Sequence, residues 1–296
     1  MNLPTFMIIG ANKAGTSSLT RYLAQHPDVF MCPVKEPTFF PYCDRVIPED
    51  AKEKALRRWS LKLTNNIDDY KRLFSSVKDE KAIGEASTAH LDNPYAAEKI
   101  KSYIPEVVLI GILRNPIDRA YSQYRMYVNR NIENRSFRYC IKSEFKSRKN
   151  GKLTGDRHYL SLGLYSNQVE KYLGLFPDQV HFFLYEELIH RPYGLLSNIF
   201  ELIGVDSTFK PDISKKYNVS EKNDKINILS GYPVIKHLLT AIPVSVKKAI
   251  RPLAEKTFHD SQLTSKIRKD LIEFYREDIL KLELLLETDL SHWLKN

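Results

Sequence analysis

Apolar residues recur along this chain in two rhythms. Short, mostly apolar runs occupy residues 6–9, 29–31, 82–85, 107–113 and 180–185. Runs of this length without polar alternation predict strands covered on both faces, as in a parallel sheet. Between them, apolar positions fall three or four apart. Leu19, Tyr22 and Leu23 share one face of 17–25, and Ile67, Tyr70 and Phe74 share one face of 67–74. Leu271, Phe274, Tyr275, Ile279, Leu282, Leu285 and Leu286 form a stripe through 265–286. Helices are also expected at 94–103, from Pro116 onward, at 163–176, at 192–203 with Gly204 as its cap, and at 233–242. Strand–helix alternation predicts an α/β fold with a P-loop-like central parallel sheet. Helices are expected on both of its faces, in a single domain over 1–296.

The most informative stretch is TFMIIGANKAGTSSL, residues 5–19. The first apolar run ends in Gly10, a short loop carries Lys13, Ala14 and Gly15, and Thr16, Ser17 and Ser18 open a helical pattern. Strand, glycine-bounded loop and helix start make an anion cradle, because first-turn amides lack partners and the helix dipole favours negative charge. The spacing of Gly10 and Gly15 follows the nucleotide loop G-x-x-x-x-G-K-[ST], with Ser17 at the hydroxyl position. Thr16 stands where that loop has its lysine, and Lys13 lies two residues before Gly15. A tight turn needing glycine for backbone reasons alone explains the glycines but not the lysine and the three hydroxyls.

Three further clusters follow. Residues 34–40 read VKEPTFF, either a surface turn with an aromatic anchor or a carboxylate, Glu36, held beside the cradle by Phe39 and Phe40. Glu85, Ser87, Thr88 and His90 come at the end of the run at 82–85, and ligands of open α/β sheets sit at carboxyl ends of strands. Arg114 ends the run at 107–113, and Ser122 lies about two turns along the next helix. An arginine and a hydroxyl so placed can grip a second phosphate; a surface ion pair and an ordinary helix residue are the plainer readings.

Charge changes the picture in one direction. The net charge is +9, favouring anionic partners. Residues 130–157 hold nine Arg or Lys against three acids, with Phe137, Ile141 and Phe145 at helical spacing, a solvated basic face or a cationic rim for an acidic acceptor. Residues 206–231 are polar with little periodicity, a loop over the site or a linker. Three cysteines without C-x-x-C spacing argue against a zinc site and fit a reducing, cytoplasmic compartment. No signal peptide, membrane span or metal-ligand cluster is expected.

Taken together, these motifs resemble the PAPS-dependent sulfotransferases, which use 3′-phosphoadenosine 5′-phosphosulfate, and are most similar to the carbohydrate (heparan-sulfate-like) and bacterial branch. Lys13 to Leu19, KAGTSSL, is similar to the 5′-phosphosulfate loop K-x-G-[TS]-[TS]-x-L. ILRNP at 112–116 with Arg119, Ala120 and Ser122 is similar to the 3′-phosphate motif. His26-Pro27, Glu36 with Phe39 and Phe40, Gly84 to Ser87, and the ending Asp289 to Trp293 carry the rest. Ala86 stands where the family's E-K-[ST]-P segment has a lysine.

The resemblance implies a sulfotransferase that binds PAPS through Lys13, Ala14, Gly15, Thr16, Ser17, Ser18, Arg114 and Ser122, with Lys216 as a substitute cofactor-loop contact. It implies catalysis by Lys13 and a general base, Glu36 or His90, with Glu36 favoured and no metal. The expected acceptor is a glycan, glycolipid or small molecule. No nucleic-acid partner is expected, and peripheral contact with an anionic membrane surface fits the charge. The alternatives are a P-loop kinase-like phosphotransferase, a non-catalytic anion- or nucleic-acid-binding protein, and a sulfotransferase fold used only for binding. The displaced lysine and the Arg114/Ser122 motif count against the kinase. An anion- or nucleic-acid-binding protein does not explain two ordered phosphate motifs, while the binding-only sulfotransferase fold stays open.

Overall fold

The computed structural model describes residues 2–45, 65–149, 158–214 and 262–296. The backbone divides into two compact units, residues 1–114 with 166–218 and residues 115–165 with 219–296. The first holds a five-stranded sheet of β1 (Phe6–Gly10), β2 (Val29–Met31), β3 (Ala82–Ala86), β4 (Val108–Leu113) and β5 (Val180–Leu184), in the order β2-β3-β1-β4-β5. Every neighbouring pair is parallel, with Met7 opposite Glu85, Ile8 opposite Ile110 and Leu113 opposite Leu184. β1 and β3 are buried throughout, which is why their apolar runs do not alternate.

The order sets the site. The chain leaves β1 toward the β3–β2 side and leaves β4 toward β5. The direction of winding therefore reverses between β1 and β4, and ligands of such sheets bind at the carboxyl ends of strands flanking that reversal. Gly10 and Arg114 lie there.

Helix boundaries follow local chemistry. Asn66 accepts from the amides of Asp68 (2.8 Å) and Asp69 (3.1 Å) and starts the helix Ile67–Arg72. The run expected from 94 begins at Ala96, because the Tyr95 amide donates to Asn93 Oδ1 (3.0 Å) in a turn. The helix expected from 163 begins at Ser166, after a 3₁₀ turn at Ser161–Gly163. Two short helices were not legible in the periodicity, Ala89–Asp92 directly after β3 and Tyr185–His190 directly after β5. Part of the polar 206–231 stretch is fixed: Gln25 exchanges bonds with the amide and carbonyl of Asp212 (2.7 and 3.0 Å). Residues 215–231, with Lys216, and the helix expected at 233–242 lie outside the described residues.

The second unit is helical where described. Asn115 caps Pro116–Asn129 through the amides of Ile117 and Asp118, and its Nδ2 donates to the carbonyl of Trp293 (3.3 Å). Phe137–Lys149 forms the basic helix, burying Phe137, Cys140 and Ile141; residues 150–157 of that segment lie outside the described residues. Ser265–Leu286 runs as one helix, with Leu271, Tyr275 and Ile279 fully buried.

Trp293 is 0% exposed, so Trp293→Ala is expected to cost about 3–5 kcal/mol in urea denaturation, the range for deleting a large core ring. Leu284, on the long helix, is 80% exposed, and Leu284→Ala is expected to stay within about 0.5 kcal/mol of the unaltered chain.

Candidate functional site

The strand, loop and helix start expected around residues 6–23 are present. β1 ends at Gly10, and Gly15 takes a left-handed conformation (φ 89°) to start the helix Thr16–Leu23. The glycine is needed twice over: a Cβ there would also lie 2.7 Å from Leu188 Cδ2 and 3.0 Å from Tyr185 Cε2. Lys13 has positive φ (71°), sparsely populated for residues with a side chain. Its carbonyl accepts a 2.9 Å bond from the Arg114 guanidinium. Arg114 in turn lies 4.6 Å above the ring of Tyr185. Residues from the ends of β1, β4 and β5 thus brace one loop. Thr16 is buried, while Ser17 and Ser18 are half-buried on the first turn.

Glu36 is held beside this loop. Its carboxylate accepts from the Thr88 amide (2.7 Å) and the Thr88 hydroxyl (3.2 and 3.3 Å), directly beyond β3. Its backbone is in the left-handed region (φ 58°), as is that of Thr38 (φ 50°). Such conformations persist where neighbours over-determine them. Here the Glu36 amide donates to the Ala86 carbonyl (3.0 Å), the Thr38 amide to Ser87 Oγ (3.1 Å) and the Thr38 hydroxyl to the Glu36 carbonyl (2.9 Å). Phe39 and Phe40 anchor the segment in the core, 0% and 1% exposed. Burial pushes the Glu36 carboxyl above its ordinary value; Lys35 and the Thr88 amide oppose that shift, and Glu85 adds to it.

Behind Glu36 lies a buried polar cluster. Glu85 and His90 are each 0% exposed, with His90 Nε2 3.1 Å from Glu85 Oε1. The hydroxyls of Tyr70 (3.3 Å) and Ser87 (3.5 Å) donate to Glu85 Oε2. Phe39 stacks on Tyr70 with centroids 4.7 Å apart, and Phe40 meets His90 edge-on at 5.6 Å. Burial raises the Tyr70 hydroxyl well above its usual pKa, with Glu85 adding to it.

Within the first unit the fold therefore brings together Lys13, Ala14, Gly15, Thr16, Ser17, Ser18, Glu36 and Arg114. His90 belongs to the same region but is sealed in the core behind Glu85. Ser122 is half-buried on the helix Pro116–Asn129 in the second unit. Two contributors escaped the sequence reading. Lys35 donates to Ser17 Oγ and stands 3.9 Å from Glu36 Oε1. Tyr185 walls both Gly15 and Arg114. Adjacency to Glu36 was the available signal for Lys35; nothing in the sequence pattern marked Tyr185. Among the described residues no group of three or more His, Cys, Asp or Glu is placed to hold a metal.

Known proteins resemble this chain. Residues 4–210 match the profile of the Sulfotransferase family. The chain is 27% identical over 235 residues to human heparan sulfate glucosamine 3-O-sulfotransferase 3B1, covering 79% of this chain and 52% of that protein. It is 30% identical over 129 residues to the membrane-associated sulfotransferase kil1 of Dictyostelium discoideum, covering 43% of this chain and 23% of that protein. The chain thus spans about half the length of the human relative. The crystal structure of a sulfotransferase from Alicyclobacillus acidocaldarius superposes with a TM-score of 0.74 and 30% identity, covering 100% of both chains.

Two outcomes test the geometry without reference to activity. In carbon-detected NMR titration, the Glu36 carboxyl is expected to titrate above the ordinary glutamate value of about 4.3, and higher again in Thr88→Val, which removes one bond to the charged form. Gly15→Ala is expected to lower stability by roughly 1–2 kcal/mol or more in denaturant unfolding, from its positive φ alone.

Proposed function

The chain belongs to the sulfotransferase family, and we propose that it moves a sulfuryl group from PAPS to a hydroxyl or amine of a carbohydrate or glycolipid acceptor. The observation that carries this reading is a carboxylate, Glu36, locked beside a phosphate loop in one rigidly bonded corner of the sheet. PAPS supplies an activated sulfuryl group on a 5′-phosphate and a second phosphate at the 3′ position. The residues fit such a donor. The loop offers a lysine, three hydroxyls and first-turn amides, and no carboxylate lies between residues 11 and 20. Arg114, held at the end of β4, is the charge for the second phosphate; Ser122 is assigned to the same phosphate on the resemblance alone. Lys216 is assigned to the same ligand on the resemblance alone.

Lys13 and the loop amides neutralise charge that builds on the leaving phosphate oxygen. Thr16, Ser17 and Ser18 bond its phosphate and sulfonate oxygens. Glu36 removes the acceptor proton: it is 18% exposed, so an acceptor can reach it, and burial lifts its basicity. His90 has no exposed surface through which to meet an acceptor; it acts as the buried partner that holds Glu85. A kinase-like reading has less support, since the lysine that reaches the terminal phosphates in P-loop enzymes is Thr16 here.

The acceptor class is inferred from the relatives' names, and the basic helix Phe137–Lys149 offers positive charge to an acidic glycan or an anionic membrane surface. We place the protein in the cytoplasm because Cys32 and Cys43 carry buried free thiols. Among the described residues no helix is long and apolar enough to cross a membrane.

Glu36→Gln is expected to lower kcat about a hundred- to ten-thousandfold and to abolish the acid limb of the pH–rate profile. Turnover falls with acid through the raised Glu36 pKa, so that limb lies above the ordinary carboxylate range. His90→Gln is expected to leave the limb in place. In calorimetry, the desulfated donor is expected to bind more tightly than ADP, and Arg114→Ala to remove the preference, at a cost of about 1.5–3 kcal/mol for a charge-assisted bond. Equal binding of ADP and the desulfated donor by the unaltered chain would overturn the assignment of Arg114.

A further inference from the structure

Lys35 touches both halves of the site. Its Nζ donates to Ser17 Oγ, on the first turn behind the phosphate loop, and stands 3.9 Å from Glu36 Oε1, on the acceptor side. These two contacts place the ammonium between the loop's first turn and the carboxylate that would activate a nucleophile. The transfer is electrostatically demanding. A sulfuryl group with negatively polarised oxygens moves between a carboxylate and a phosphate, so a cation alongside the path is worth more in transit than at either end. Lys13 serves the leaving end, where Arg114 braces its carbonyl. In the described geometry Lys35 is the cation in contact with both Ser17 and Glu36.

We propose that Lys35 is a second catalytic cation, pairing with the oxygens of the sulfuryl group in flight and keeping Glu36 ionised before it. The proposal rests on the sulfotransfer reading above. The acceptor–sulfur bond forms as the bond from sulfur to the phosphate oxygen breaks. The acceptor proton goes to Glu36 and the electron pair to the departing 5′-phosphate; Lys35 gives up no proton. Four influences act on the Glu36 charge besides its burial. Lys35, His90 and the Thr88 amide favour the ionised form, and Glu85 opposes it. Lys35 is the largest of the favouring influences, so its loss leaves burial and Glu85 less opposed. The plainer role is a surface ion pair, since Lys35 is 43% exposed. Such a pair is worth about fivefold at most in an equilibrium.

The test compares Lys35→Met and Lys35→Arg with the unaltered full chain. Turnover is followed with labelled PAPS and a panel of glycans, glycolipids and phenols. Affinity for the desulfated donor is read by calorimetry, and the Glu36 carboxyl by NMR titration without ligand. Lys35→Met is expected to lower kcat about a hundredfold or more while changing desulfated-donor affinity by less than about threefold, the signature of an interaction made only in the transition state. It is also expected to move the Glu36 titration upward, with Lys35→Arg restoring that titration. A Lys35→Met chain within about fivefold of normal kcat, with an unmoved Glu36 titration, overturns the proposal and leaves the sulfotransfer reading standing. An unaltered chain that transfers no label to any member of the panel, and prefers ADP to the desulfated donor, overturns both.

Discussion

The bond from the Thr88 amide to the Glu36 carboxylate, 2.7 Å across 52 residues of sequence, is the contact on which the site depends. It ties a segment beyond β2 to the carboxyl end of β3 and holds a charged group where burial disfavours it. A carboxylate taken from water keeps its charge only with charged or hydrogen-bonding partners. Thr88 supplies two donors and Lys35 supplies the countercharge. The left-handed conformations of Glu36 and Thr38 are held by the bonds to Ala86, Ser87 and Glu36 itself, so the strain sits next to the group it positions.

The same economy governs the other side of the site. The loop between β1 and the helix Thr16–Leu23 is held from outside by β4 through Arg114 and by the start of the helix after β5 through Tyr185 and Leu188. Strand order makes this bracing available, because β4 neighbours β1 and β5 neighbours β4 at the reversal of winding. Beneath both lies the Glu85–His90 pair, sealed by Phe39, Phe40 and Tyr70. Its burial makes it a fixed floor rather than a reacting group. Removing Glu85 would take from the buried His90 ring and the Tyr70 hydroxyl the carboxylate they contact, a destabilising change.

The five strands and the loop motif were legible because they are local: an apolar run, a glycine, a lysine and hydroxyls in fixed order. The long helix at 265–286 was legible for the same reason, its stripe repeating over many turns. Non-local contacts were not. That His90 faces Glu85 and not solvent depends on which way the short helix Ala89–Asp92 turns, which four residues of sequence do not reveal. That Lys35 reaches Ser17 depends on β2 and β3 placing the 34–40 segment beside the loop. Tyr185 was read as the end of a strand, whereas it opens a helix whose first turn packs on Gly15. The pattern of residues announced a second phosphate contact at Arg114, but its present partner, the Lys13 carbonyl, comes from the fold.

The most direct test of the account is transfer itself, run with Mg²⁺ and again with a chelator. The protein is incubated with PAPS, ATP and a heparan-type oligosaccharide, and the products are resolved by mass spectrometry. The account predicts sulfated oligosaccharide and desulfated donor in equal amounts, with ATP untouched. Phosphorylated oligosaccharide with PAPS untouched would contradict it.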